Sequence, residues 1–167
     1  GTLKLGRGIY LTDPDISIEQ DLGLTFEGEG SRGTNNSIFG ATTLLFSGST
    51  VNYGIRSYGN GARYLRFKNL DICYLDAGFT GDVIDNYDAV GLKLDGCYAG
   101  TFGIGTVPYP RRATARSVLR QTYDEFTHIV NTVFSGAVDL WYDDASRTID
   151  GSTFGGSLSK WDTVTFY

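Results

Sequence analysis

A short motif recurs along the chain: an apolar residue, then a polar one, then glycine, asparagine or threonine. Successive copies begin 19 to 21 residues apart, except for two longer intervals of 27 and 36 residues. In the first five copies a leucine stands two positions before the apolar residue, as expected of a strand with one buried face. The copies begin at Leu5 (a weaker match), Phe26, Phe46, Phe67, Leu94, Val130 and Ile149.

A period near 20 residues, with short strands and small corner residues, indicates a solenoid. Propeller blades need about 40 residues, and leucine-rich repeats space their leucines differently. A β-helix fits, with strands of successive coils about 4.8 Å apart. Asn69, which interrupts "YLRFKNLDICYL", is then a corner that needs a positive φ. A β-sandwich is the alternative, but it gives no reason for a 20-residue repeat. We therefore predict that the six apolar residues from Phe26 onward stack as one interior column.

The composition fits one globular domain. The 167 residues suffice for a single core, with 41% apolar and 20% charged residues. No apolar run approaches the roughly 20 residues of a membrane helix. The net charge of −5 argues against a general binder of nucleic acid or of anionic membranes. Because the chain contains no methionine, we expect it to be a segment of a longer or processed protein. The two long intervals of the repeat predict loop insertions at about 75–90 and 99–125.

Histidine and cysteine are scarce. His128 is the only histidine, which disfavours a Ser-His-Asp triad and a histidine-rich metal site, so we predict no metal and no cofactor. His128 occupies an inward position of the repeat, which predicts a hydrogen-bonded core residue. Cys73 and Cys97 occupy different columns of the repeat and predict no disulfide.

Four stretches carry a resemblance to a known family: "GIYLTDPDISIEQDLGLTFEGEG", "YLRFKNLDI", "GLKLDGCYAG" and "HIVNTVFSG". They resemble the coils of right-handed parallel β-helix proteins of the pectin-lyase-like superfamily. The predicted fold class is therefore all-β, a right-handed parallel β-helix solenoid of about seven coils with loop insertions. The catalytic motifs of the superfamily's polygalacturonases and pectate lyases are missing, since "NTV" at 131–133 lacks their aspartate and no G-H-G follows.

Within that superfamily the aromatic-rich, cysteine-poor coils look most like bacteriophage tailspikes and related receptor-binding proteins. The resemblance implies a homotrimer, associated with other virion tail proteins or located outside the cell, that recognises and can cleave bacterial surface polysaccharide. Two alternatives remain open: a structural β-helix of a virion or cell surface without activity, and a secreted polysaccharide lyase or hydrolase. Neither nucleic acid nor membrane insertion is expected.

The residues on either side of each apolar anchor face outward by strand alternation, and we interpret them as a saccharide groove. Asp95 and Asp150, two coils apart, would approach the separation of about 6.5–9.5 Å between the carboxyl groups of inverting glycosidases. They are the predicted catalytic pair. Alternatively, Lys68 and Asp95 form an exposed ion pair of about 0–1 kcal/mol. The predicted substrate-binding residues are Arg66, Lys68, Lys93, Asn131, Trp141 and Tyr142, the last two through their aromatic faces unless these pack within the coils.

Two other stretches concentrate charge. Four aspartates from Asp76 to Asp88 predict a solvated acidic loop. The segment 113–126, "ATARSVLRQTYDEF", could form a short helix. The four arginines in and before it could bind anionic sugar, contact a neighbouring subunit or pair with the acidic stretch of the preceding coil. These arginines are Arg111, Arg112, Arg116 and Arg120.

Overall fold

A computed structural model describes residues 1–19, 23–32, 40–59, 65–104, 107–109, 114–122, 127–141, 147–154, 158–160 and 164–166. Within these ranges the chain winds through six coils and begins a seventh. No helix among these residues is long and apolar enough to span a lipid bilayer. The strands are β1 (Thr2–Lys4), β2 (Gly8–Thr12), β3 (Ile16–Glu19), β4 (Thr25–Glu27), β5 (Thr42–Phe46), β6 (Tyr53–Tyr58), β7 (Arg66–Lys68), β8 (Asp71–Tyr74), β9 (Asp82–Tyr87), β10 (Lys93–Asp95), β11 (Tyr98–Ile104), β12 (Val107–Tyr109), β13 (Ser117–Thr122), β14 (His128–Val130), β15 (Val133–Ser135), β16 (Val138–Trp141), β17 (Arg147–Asp150), β18 (Thr153–Phe154), β19 (Leu158–Lys160) and β20 (Val164–Phe166).

Equivalent strands of successive coils pair in parallel and build three sheets. Sheet A contains β1, β4, β7, β10, β14, β17 and β20; sheet B contains β2, β5, β8, β11, β15 and β18; sheet C contains β3, β6, β9, β13, β16 and β19. The remaining strand, β12, pairs antiparallel with β11. The parallel β-helix predicted from the repeat is confirmed. Each sheet receives one strand per coil because parallel neighbours need a long connection, which the other two sheets provide.

The middle residues of β4, β7, β10 and β14 belong to one interior column. Phe67, Leu94 and Ile129 are fully buried there, and the ring of Phe26 stacks on that of Phe67 with centroids 5.4 Å apart. Burying a side chain of this size contributes about 1.5–3 kcal/mol. Backbone pairing places Leu3, which is exposed in the first coil, in register with this column, and it continues the same line of backbone positions through Ile149 and Phe166.

Two predicted members of this column are wrong. Phe46 ends β5 of sheet B, in register with Tyr74, because the second coil is long and contains two copies of the motif. Val130 is displaced by its neighbour Ile129, whose backbone pairs with Leu94. Two adjacent apolar residues leave the alternation ambiguous, and only the pairing with β10 decides which of them faces the interior.

The corner predicted at Asn69 is confirmed, and it lies between sheets A and B. Asn69 has φ 54° and Asn131 has φ 46°, and Gly96 and Gly151 occupy the same position with φ 62° and 57°. The Asn69 N–H donates to the carbonyl of Asp95 at 2.9 Å, and the Asn131 N–H to that of Asp150 at 2.9 Å. Asparagine and glycine tolerate this left-handed backbone better than other residues. The corners therefore stack along the solenoid as the strands do.

The expected solvated acidic loop and the expected helix are both wrong. Residues 75–90 include β9, where Asp82 is fully buried and Asp85 nearly so. Residues 113–126 include β13, which pairs with β9 on one side and β16 on the other. Pairing on both edges overrides the weak helix preference of this segment. Arg116 hydrogen-bonds to both carboxylate oxygens of Asp82, so the interpretation that these arginines pair with the preceding coil is confirmed for Arg116.

Candidate functional site

The outer face of sheet A carries two parallel columns of side chains. The strands of this sheet are short, and in β4, β7, β10 and β14 the first and third residues flank a central residue that packs in the core. In β7 the exposed Arg66 and Lys68 flank Phe67, and in β10 the half-buried Lys93 and Asp95 flank Leu94. We call the residues in register with Arg66 the leading column (Thr2, Thr25, Arg66, Lys93, His128, Thr148) and those in register with Lys68 the trailing column (Lys4, Glu27, Lys68, Asp95, Val130, Asp150).

The leading column contains no carboxylate, although the chain has 19 acidic residues against 14 basic ones. Arg66 and Lys93 are in register on adjacent strands, so their backbones are about 4.8 Å apart. Threonines precede them at positions 2 and 25. A shallow depression beside the first strands is lined by Gly1, Thr2, Gly23, Thr25 and Arg66. The column thus joins cationic and hydroxyl groups along one line parallel to the solenoid axis.

His128 belongs to this leading column, and the prediction of an inward, core histidine is wrong. Its backbone pairs with Lys93, and its side chain is exposed while the neighbouring Ile129 is buried. The error follows from placing Val130 in the interior column, which shifts the register of this coil by one residue. A one-residue shift exchanges the inward and outward faces of a strand.

The trailing column alternates in charge. Lys68 Nζ lies 3.0 Å from Glu27 Oε1, and this partner lowers the pKa of Glu27 and raises that of Lys68. The alternative prediction paired Lys68 with Asp95 instead; the structure gives Lys68 an ion pair with the preceding coil, and Asp95 contributes only a weaker attraction. Such an exposed pair contributes little to stability, because solvent screens it.

The two predicted catalytic aspartates lie in the trailing column, two strands apart. Asp95 pairs in register with Val130, and Val130 with Asp150, so their backbones are about 10 Å apart. This is close to the upper limit for the carboxyl groups of an inverting glycosidase, about 9.5 Å. The residue between them is the apolar Val130. Asn131, which the prediction placed there, is the corner residue with positive φ.

The other predicted binding residues lie elsewhere. The backbone of Trp141 ends β16 of sheet C, in register with Thr122, so it does not belong to the sheet A face. Tyr142 lies outside the described residues. Arg66, Lys68 and Lys93 are the predicted binding residues that the fold brings together on one surface.

Sheet C carries a cluster that the sequence did not predict as a site. The guanidinium carbon of Arg56 lies 4.9 Å from the ring centres of Tyr58 and Tyr87 and 5.3 Å from that of Tyr53. Its Nε is 3.0 Å from Asp85 Oδ2, although the N–H is not aligned for a hydrogen bond. Burial raises the pKa of Asp85; Arg56 opposes this shift and Asp82 adds to it. Register explains the cluster, because Arg56 and Asp85 are paired strand neighbours.

A buried ion pair covers the outer face of sheet B. Arg32 Nε donates to Asp71 Oδ2 at 2.8 Å, and its guanidinium lies over the ring of Tyr98. Burial raises the pKa of Asp71 despite the attraction of Arg32. Cys73 packs in a small cluster on the same face, whereas Cys97 belongs to the main core; both thiols are free, and burial raises the pKa of each to about 12. Arg32 thus covers the outer side of sheet B at β8 and β11, whereas the side chains of β2 in the same sheet are mostly exposed.

Comparisons of the chain with protein-family models, with curated proteins and with solved structures find no match. Among the described residues, no three histidine, cysteine or carboxylate side chains converge as metal ligands would. The exposed face of sheet A is accordingly the candidate site, because it gathers charged side chains on one accessible surface.

Proposed function

We propose that the chain binds an anionic polysaccharide along the leading column of sheet A. The observation that carries the proposal is the segregation of charge: Arg66 and Lys93 stand side by side in a column without carboxylates. The acidic residues of the same face stand in the trailing column instead. The cationic side chains of the column can pair with the acidic groups of a charged sugar, and its threonine hydroxyls can hydrogen-bond to the sugar hydroxyls.

The spacing of the column suits a linear polymer. Successive strands present one side chain about every 4.8 Å, close to the length of one sugar ring. An acidic group of the polymer bound between Arg66 and Lys93 would be attracted by both cations. The polymer would then lie parallel to the solenoid axis.

The biological setting that we propose follows from the fold and the family resemblance together. The chain would act as a tailspike-like receptor-binding protein that recognises bacterial surface polysaccharide, at a virion tail or outside the cell, as a homotrimer. Light scattering coupled to size-exclusion chromatography tests the trimer, and a monomeric mass would contradict it. A structural β-helix without ligand, the rival class, has no need of a carboxylate-free column.

Two carboxylates of the trailing column are candidates for cleaving the bound polymer. Asp95 faces the sugar path beside Lys93, and Asp150 lies two strands further along. If the pair hydrolyses the bound polymer, Asp95→Asn and Asp150→Asn should each abolish the release of reducing ends and leave binding intact. Binding without reducing ends from the unmodified protein would identify a recognition protein rather than a depolymerase.

The binding experiment compares acidic and neutral polymers. Hyaluronan, polygalacturonate and polysialic acid serve as acidic probes and dextran as the neutral one, each titrated by calorimetry at about 50 mM salt, where surface charges are little screened. We expect binding of at least one acidic probe and none of dextran. The double variant Arg66→Ser/Lys93→Ser should weaken that binding by about tenfold or more, as two charge-assisted contacts would.

The matched control removes the same net charge elsewhere. Lys4→Ser/Arg7→Ser deletes two exposed cations outside the leading column, near the first strand. We expect its affinity to stay within about twofold of the unmodified protein, because its lost charges do not contact the polymer. Equal losses in the two double variants would indicate attraction by net charge alone and would overturn the proposed column. No binding of any acidic probe would favour the structural alternative.

A further inference from the structure

We propose that His128 is the third cation of the leading column and that its protonation strengthens the binding of an anionic polysaccharide. This inference rests on the proposed function. It adds to that site a residue that the sequence placed in the core. Histidine is the side chain that ordinarily changes charge between about pH 5 and 8. A protonated His128 would give the column a third positive charge beside Arg66 and Lys93.

The backbone geometry puts His128 in line with the other two cations. Lys93 pairs in register with Arg66 on one side and with His128 on the other. The three side chains therefore stand on consecutive strands, about 4.8 Å apart. Ile129 is completely buried, which anchors β14 and keeps the exposed His128 on the outer face.

The groups around His128 leave its charge available to a ligand. On β10 the neighbours are Lys93 in register and Asp95 two residues further along, and on β17 they are Thr148 in register with Asp150 two residues further along. Arg147 precedes Thr148 on the same strand. On its own strand the residue across the face is the uncharged Val130. The strand of His128 thus carries no acid, unlike that of Lys93, which carries Asp95.

Protonation adds one unit charge to a line that already attracts anions. A single charge at the surface acts on a bound acidic group with about 1 kcal/mol, which corresponds to a gain in affinity of about threefold to tenfold. Arg66 and Gly1 line the depression beside the column, so residues other than His128 also lie near a bound polymer. A test must therefore compare variants of His128 and not pH values alone.

Dextran sulfate is the appropriate probe because its sulfate groups remain ionised across the range. Its affinity is measured at about pH 8 and about pH 5.5 for the unmodified protein, for His128→Gln, which cannot be protonated, and for His128→Lys, which keeps a positive charge. We expect the unmodified protein to bind about threefold to tenfold more tightly in the acidic buffer. His128→Gln should change less than about twofold, and His128→Lys should bind in the basic buffer as tightly as the unmodified protein does in the acidic one.

The outcomes separate this inference from the proposed function. Equal gains on acidification in the unmodified protein and in His128→Gln would overturn the role of His128, while binding of dextran sulfate would still support the column. A complete lack of dextran sulfate binding at both pH values would overturn the role of His128, and together with no binding of hyaluronan, polygalacturonate or polysialic acid it would overturn both proposals. Circular dichroism of each variant at both pH values checks that the fold is retained, which is expected because residue 128 is exposed.

Discussion

The guanidinium of Arg32 donates from Nε to Oδ2 of Asp71 at 2.8 Å, and the Arg32 backbone N–H donates to Oδ1 of the same carboxylate at 2.8 Å. Asp71 is fully buried, and Arg32 Nη2 also reaches the sulfur of Cys73 at 2.9 Å. The contacts join a segment that follows β4 to the sheet B strand of the next coil. Removing the partner of a buried charge destabilises the fold, because the protein interior cannot solvate the charge that remains.

We predict that Arg32→Met lowers the free energy of unfolding by about 3–5 kcal/mol at pH 7, since it leaves the Asp71 carboxylate buried and unpaired. Lys68→Met is the matched control: it removes a cation from the exposed pair with Glu27 and should leave stability nearly unchanged. Urea unfolding followed by circular dichroism measures both. Similar values for the two variants would contradict the buried character of the Arg32 pair.

The buried carboxyl of Asp85 predicts a pH dependence of stability. Burial raises its pKa, with Arg56 acting against this effect. A folded-state pKa above the unfolded value of about 3.9 means that the folded protein holds the proton more tightly, so this group stabilises the fold at low pH and the benefit is lost as pH rises through the raised pKa. The unfolding free energy of the unmodified protein should therefore fall with pH relative to that of Asp85→Asn. The fall should reach about 1.4 kcal/mol for each pH unit by which the folded pKa exceeds the unfolded one.

Urea titrations of those two proteins at intervals of about half a pH unit, from about pH 3.5 to 7, measure that relative stability across the raised pKa. The comparison removes the contributions of all other acids, which the two proteins share. If the unfolding free energy of the unmodified protein minus that of Asp85→Asn stays constant or rises with pH, the pKa of Asp85 is not raised in the folded protein.

The corner at Asn69 predicts a substitution pattern governed by the backbone. Its φ of 54° is accessible to asparagine and glycine but is strained for a β-branched side chain. We expect Asn69→Val to lower the unfolding free energy by about 1–2 kcal/mol, and Asn69→Gly to leave it within about 0.5 kcal/mol. Thermal unfolding ranks the three proteins. Equal loss in both variants would point to the asparagine side chain rather than to the backbone.

Gly54 lies so close to the ring of Phe46 that a larger residue at position 54 is predicted to destabilise the fold. A Cβ at Gly54 would lie 2.5 Å from the Phe46 ring and 2.8 Å from the Val83 carbonyl oxygen, whereas a Cβ at Gly6 would meet nothing nearer than 3.7 Å. Gly54→Ala should therefore lower stability by about 1–3 kcal/mol through overpacking, and Gly6→Ala should change it by less than about 0.5 kcal/mol. Parallel urea titrations of both variants check the contrast, and a stable Gly54→Ala protein would contradict it.

The candidate site was predictable only in part. Arg66, Lys68 and Lys93 alternate with buried apolar residues in two well-formed copies of the motif, so the sequence was sufficient to place them on one outer face. His128 and Asn131 were misplaced because Ile129 and Val130 are both apolar, and local alternation could not choose between them. The Arg56 cluster gave no local signal, since its members come from different coils and meet only through the register of sheet C.

Local chemistry alone determined that this chain forms short strands with small or asparagine corners, and a repeat of about 20 residues was enough to select a β-helix. The tertiary structure decided which copies of the motif share a column and which charges are buried. The reason is that stacking depends on hydrogen bonds between coils, which fix register across connections of unequal length. Asp82 and Asp85 look like loop residues in the sequence, yet pairing with β6 and β13 buries them against arginines.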